Sequence, residues 1–117
     1  VIPEPQGRAF VRSLVVNGKK VSSILFDLEG PRGDRHTGFR RPLSGHDTEY
    51  RKRYDLPKGT MIANTRTWTG IAAEEIEEVE KDLSCRIPPG VLLENFTLDG
   101  FPSFSHLKPG SQLVFPK

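Results

Sequence analysis

The residues best suited to chemistry lie in one stretch of the chain. Gly33-Asp34-Arg35-His36 is preceded by Arg32 and followed by Gly38, Arg40 and Arg41, and Arg51, Lys52 and Arg53 come shortly after. Guanidinium groups are planar, permanently charged forks that meet the oxygens of a carboxylate or phosphate two at a time. A histidine beside them adds a donor or a proton carrier near neutral pH. The chemistry this combination suits is the holding of an oxyanion. Glycine at position 33 permits a tight turn and close approach of the backbone to a ligand. Two further polar residues join the candidates: Arg66, near Asn64 at the junction of two extended segments, and Asn95, beside Glu94.

Each candidate also has a purely architectural reading. Asp34 and Arg35 can pair with each other and do no more than fix the loop. Arg40, Arg41 and residues 51–53 can be ordinary solvated charges. Arg66 on an alternating strand can face a pocket or water, and Asn95 can satisfy backbone groups of its own loop. Trp68 reads as core. Cys85 has no base near it in sequence, so a nucleophilic role is not expected. His36, His46 and His106 lack metal-ligand spacing, and no metal site is expected.

Charge is unevenly spread. Residues 32–53 carry seven Lys/Arg against three Asp/Glu, whereas residues 74–82 carry one lysine against six acids. The net charge of +2 says little about partners, but its distribution places a positive field on the candidate loop. A single cysteine excludes an internal disulfide and suits a reducing compartment. No apolar run approaches the roughly 20 residues of a membrane helix, and Val1-Ile-Pro-Glu-Pro lacks the order of a signal peptide. A cytoplasmic protein is expected, with no membrane partner.

The elements that must position these residues are short. With 117 residues, 11 glycines and 10 prolines, the chain predicts one domain over 1–117, rich in turns and β-structure. Residues 9–16 and 19–28 flank Asn17-Gly18, a dipeptide that favours a type I′ hairpin turn. A long loop is expected over 29–58, then short extended segments over 60–64 and 65–71. Ala72, Ile76, Val79 and Leu83 draw one apolar stripe and predict a helix, its other faces filled by a glutamate run that reads as solvated. Pro88-Pro89-Gly90 stops it. Short strands follow over 91–93, 95–98 and 111–115. The expected class is α+β, mostly β with one main helix, the sheet curled into a barrel.

In this order the pieces resemble the MOSC domain, the module named after the C-terminal part of molybdenum cofactor sulfurase. The likeness rests on Gly33-Asp34-Arg35-His36 with Gly38, on Asn64-Thr65-Arg66 before a helix, on Glu94-Asn95 with Phe96-Thr97-Leu98-Asp99-Gly100, and on Leu107-Lys108-Pro109-Gly110 leading into Leu113-Val114-Phe115. The resemblance implies a MOSC-like β-barrel of the small stand-alone type. It also implies a pocket for the molybdenum cofactor (molybdopterin) lined by Asp34, Arg35, His36, Arg66 and Asn95, and a role in sulfur transfer or reduction with a sulfur-donor protein or a molybdoenzyme as partner. The family's cysteine near the C-terminal end has no counterpart before Lys117, so the usual C-terminal segment is expected to be lacking and no catalytic residue is assigned. The alternative is a non-catalytic anion- or nucleic-acid-binding barrel using Phe39, Tyr50 and Tyr54 among the basic residues. The small net charge and the placement of those aromatics in a loop argue against nucleic acid.

Overall fold

The computed structural model describes residues 7–115. Residues 1–6, on which the absence of a signal-peptide pattern was read, lie outside the described residues, as does the side chain of Phe26. The chain divides into two compact units: Val1–Ser23 with Thr69–Lys117, and the continuous segment Ile24–Trp68.

The first unit is built on a four-stranded sheet in the order Lys19–Val21 (β2), Phe10–Val16 (β1), Phe96–Asp99 (β8), Gly70–Ala72 (β7). Strand β1 (Phe10–Val16) turns at Asn17-Gly18 into β2 (Lys19–Val21), with Val16 opposite Lys19. Both turn residues have positive φ, 50° and 77°, which is what a type I′ hairpin turn demands. Strand β7 (Gly70–Ala72) runs straight into helix α2 (Ala73–Leu83), and the chain returns as β8 (Phe96–Asp99) parallel to β7 and antiparallel to β1. Ala72, Ala73, Phe96, Leu98 and Val15 form the buried apolar core of this unit.

Helix α2 spans the apolar stripe but ends at a left-handed Ser84 (φ 51°), four residues ahead of Pro88, so the proline pair does not itself stop it. Its stripe is only partly covered: Ala72 and Ala73 are buried and Ile76 half-buried, while Val79 and Leu83 are exposed. The glutamates are not all solvated. Glu74 Oε1 accepts the amide of Gly100 at 2.7 Å, and Glu75 accepts both the amide and the hydroxyl of Ser105. The helix's first turn thus anchors the segment containing the short 3-10 helix Phe104–His106.

The second unit holds two short ribbons and one helix. Strands β3 (Phe26–Asp27) and β4 (Gly30–Pro31) pair with each other, as do β5 (Arg40–Pro42) and β6 (Met61–Ala63). Helix α1 (Thr48–Tyr54) lies between β5 and β6 in sequence and buries none of its residues. Leu43 and Pro31, both in this unit, are among the largest fully buried side chains of the described residues.

The α+β class is as the sequence indicated, but four expectations need correction. The sheets are open, so the expected closed barrel is not formed. The strands of the second unit are two or three residues long, too short to continue the larger sheet round on itself. A second helix, α1, occupies part of the expected loop, because Thr48 to Tyr54 has neither proline nor glycine to interrupt it. Residues 111–115 do not form a strand. The expected extended run at 91–93 is a turn with Leu93 at φ 59°.

Candidate functional site

The candidate residues of the second unit are organised by two carboxylates and one amide. Asp34 is buried, and its Oδ1 accepts the amide of His36 at 3.0 Å and lies 2.9 Å from His36 Nδ1. The main-chain carbonyl of Asp34 accepts the hydroxyl of Thr37 at 2.8 Å. An ionised carboxylate only accepts, so Nδ1 carries the proton and Nε2 is left as the ring's other polar atom. Asp34 therefore both closes the turn after Gly33 (φ 90°) and orients the imidazole, which is half exposed.

Asn64, at the end of β6, connects this turn to Arg66. Its Nδ2 donates to the carbonyls of His36 and Gly38, at 2.8 and 2.9 Å, and its Oδ1 accepts the amide of Arg66 at 3.2 Å. The hydrogen bond from Asn64 N to Phe39 O at 2.8 Å continues the β5–β6 pairing by one residue. Sequence alone placed Asn64 in a motif without assigning this clamp. The signal was an asparagine at a strand end, a position where side-chain amides commonly satisfy loop carbonyls.

Arg66 extends its guanidinium to Asp47, with Nη1 3.2 Å from Oδ1. Asp47 also takes a two-pronged contact from Arg41, whose Nη1 and Nη2 donate at 3.1 and 3.2 Å, and accepts the amide and hydroxyl of Ser44 at 2.7 and 2.9 Å. Its side chain is 2% exposed, against 69% for Arg66. Hydrogen bonds from Arg41, then from the amide and hydroxyl of Ser44, hold the Asp47 carboxyl well below the usual carboxylate range. Two guanidinium groups on one carboxylate leave a net positive charge, and the buried Nε of Arg41 finds no acceptor among the described residues. Arg41 is thus part of a fixed ion-pair cluster rather than a freely solvated charge. Arg35 is exposed beside His36.

Asn95 lies in the first unit and is buried. Its Oδ1 accepts the amide of Thr69 at 3.0 Å and its Nδ2 donates to the carbonyl of Val15 at 3.2 Å, bracing the entry to β7 against β1. Next to it Glu94, also buried, accepts the amide of Gly90 with both oxygens at 3.0 Å.

Among the described residues no group of three or more His, Cys, Asp or Glu side chains is placed to hold a metal ion, and Cys85 is a free, exposed cysteine. Among the described residues no helix is long and apolar enough to cross a membrane.

This arrangement defines a small α+β protein with a cationic, internally braced loop. No family model matches the chain. Among curated proteins it is similar to YuaD of Bacillus subtilis (strain 168), named there as a candidate metal-sulfur cluster biosynthesis protein, with 29% identity over 99 residues. The match takes in 84% of this chain but 48% of the relative, so the chain spans about half the length of the protein it matches. The crystal structure of the Bacillus subtilis YuaD protein has the same fold, with a TM-score of 0.73 at 23% identity over 90% of this chain and 60% of that one.

These findings overturn the expected membership of the MOSC family. The relative's name points to metal-sulfur clusters, and the MOSC assignment, the molybdenum cofactor and the molybdoenzyme partner drawn from it are set aside. The motifs behind the resemblance have local explanations: Asp34 and His36 lock a turn, Asn64 clamps it, and Glu94 and Asn95 tie main-chain groups together. Short Gly-Asp and Glu-Asn patterns arise wherever loops must satisfy buried backbone.

Proposed function

We propose that this chain is part of a protein serving metal-sulfur cluster biosynthesis, in which the second unit contributes an oxyanion-binding element. The observation that carries the reading is the similarity to YuaD along 84% of the chain. In this reading the guanidinium groups of Arg35 and Arg66, and His36 Nε2 when the ring is doubly protonated and Nε2 can donate, contact a small phosphate- or carboxylate-bearing molecule. Asp34 and Asn64 position them, and Asp47 with Arg41 holds the base of Arg66. Asn95 keeps a bracing role in the first unit. In this reading these 117 residues hold no resident cluster by themselves: cluster sites are built mostly from several thiolates, and the segment has one cysteine.

Deleting the gene in its host tests the first part. Metal-sulfur enzymes in extracts should lose cluster occupancy and regain it on complementation; undiminished occupancy would remove the reading. For the second part, orthophosphate should shift the amides of residues 33–38. Arg66→Gln should weaken that binding about tenfold to a hundredfold, the worth of one charged hydrogen-bonding group.

A further inference from the structure

Within the first unit, helix α2, strands β1 and β8 and the segment after the helix enclose a hollow of about 260 Å³. None of the oxyanion-site residues lines it. Two local irregularities shape it. The β1–β8 register shifts between Val11 and Ser13, a bulge that sends Arg12 and Ser13 into the lining. Leu93, immediately before the lining residue Glu94, has φ 59°, a conformation that costs a bulky side chain free energy and marks sites where geometry serves function.

The hollow's charges can be sorted by what already occupies them. Arg12 is held by Asp99 at 2.8 Å and Glu77 at 2.9 Å, and Glu80 accepts the amide of Ile87 at 2.7 Å. Three charged lining residues have no counter-ion among the described residues: Glu80, Glu94 and Arg86. Glu94 is 2% exposed, and its two oxygens share one donor, the amide of Gly90, with no cation in ion-pair range among the described residues. A carboxylate offers about four acceptor sites, so most of its capacity is unused. Arg86 is exposed and has neither an acidic partner nor a side-chain hydrogen bond among the described residues. Ile76, Ile87 and Leu92 give the lining its apolar part.

We propose that this hollow binds a small α-amino acid with an apolar side chain. Its ammonium group would meet the buried Glu94, its carboxylate Arg86, and its side chain the apolar lining. Size supports the class: 260 Å³ falls below the roughly 300–1,000 Å³ of pockets that take drug-sized ligands. Charge supports it too, since a ligand of one sign would leave either Glu94 or Arg86 unmatched.

The test is an amide NMR titration of the whole chain with L-leucine, isoamylamine (no carboxylate) and isocaproate (no ammonium). L-Leucine should shift Ser13 and Gly90 saturably, and each truncated analogue should bind roughly tenfold more weakly, having lost one charged contact. Arg86→Gln, at an exposed position, should weaken L-leucine and leave isoamylamine unchanged. Glu94→Gln, which keeps an acceptor for Gly90, should weaken both. Absence of saturable L-leucine shifts in the wild-type chain overturns the proposal. So does isocaproate binding as tightly as L-leucine, or Arg86→Gln leaving L-leucine unaffected. If Glu94→Gln does not fold, the wild-type ligand series and Arg86→Gln decide alone. These readouts are separate from those at residues 33–38, so either site can fail without the other.

Discussion

At Asp47 a single carboxylate gathers Arg41, Arg66 and both donors of Ser44, and its proton affinity is correspondingly low. Because the folded carboxyl titrates below the ordinary unfolded value of about 3.9, its stabilisation is complete above that pH and is lost as pH falls through the lower folded value. Acid unfolding of Asp47→Asn, followed by circular dichroism, should therefore be less steep below about pH 4 than that of the wild type. Equal slopes would mean that the ion pairs do not persist in solution. Asn64 makes a different prediction. Asn64→Ala frees the carbonyls of His36 and Gly38 together and should cost about 1–3 kcal/mol in denaturant unfolding, with phosphate affinity falling as the turn loosens. Loss of stability without loss of phosphate binding would separate the clamp from the proposed site.

Gly90 shows how one element fixes another. At φ 96° it sits in a turn whose amide Glu94 accepts, and an added Cβ there would collide with the carbonyl of Gly18 in the β1–β2 turn. Backbone cannot yield as a flexible side chain can, so Gly90→Ala should destabilise by about 2 kcal/mol or more, strain and overlap combined, read from a shifted denaturant midpoint. Leu43→Ala in the second unit should cost about 2–5 kcal/mol by leaving a cavity. Elements with strong local signals were legible in the sequence: the Asn17-Gly18 turn, and a helix drawn by an apolar stripe. Those set by pairing alone were not. Arg40-Arg41-Pro42 has no strand-like alternation, and it is a strand because Met61–Ala63 lies opposite it. Of the candidate site, the sequence marked Asp34, Arg35, His36 and Arg66 by residue type. It could not disclose Asp47 or Ser44 as the seat of Arg66 and Arg41, because that cluster depends on a helix start where a loop was expected.

Over these 117 residues taken together, one cysteine limits the metal-sulfur chemistry they can do by themselves. Incubated with iron, sulfide and reductant and then desalted, this chain should retain no stoichiometric cluster absorbance, and Cys85→Ser should complement a gene deletion as well as the wild type. A chelator-resistant cluster on the chain, or failure of Cys85→Ser to complement, would contradict the proposal that these residues hold no cluster by themselves.

The discontinuity of the first unit also bears on how the chain is made. Strand β1 finds its second neighbour only when Phe96 arrives to lie opposite Leu14. At ribosomal rates of about 5–20 residues per second, that wait is on the order of ten seconds. Before it ends, Ile24–Trp68 is complete, while one edge of the nascent hairpin has stood open to any extended segment nearby. Synthesis therefore leaves the β1 edge as the point at which chaperone binding or premature association would act.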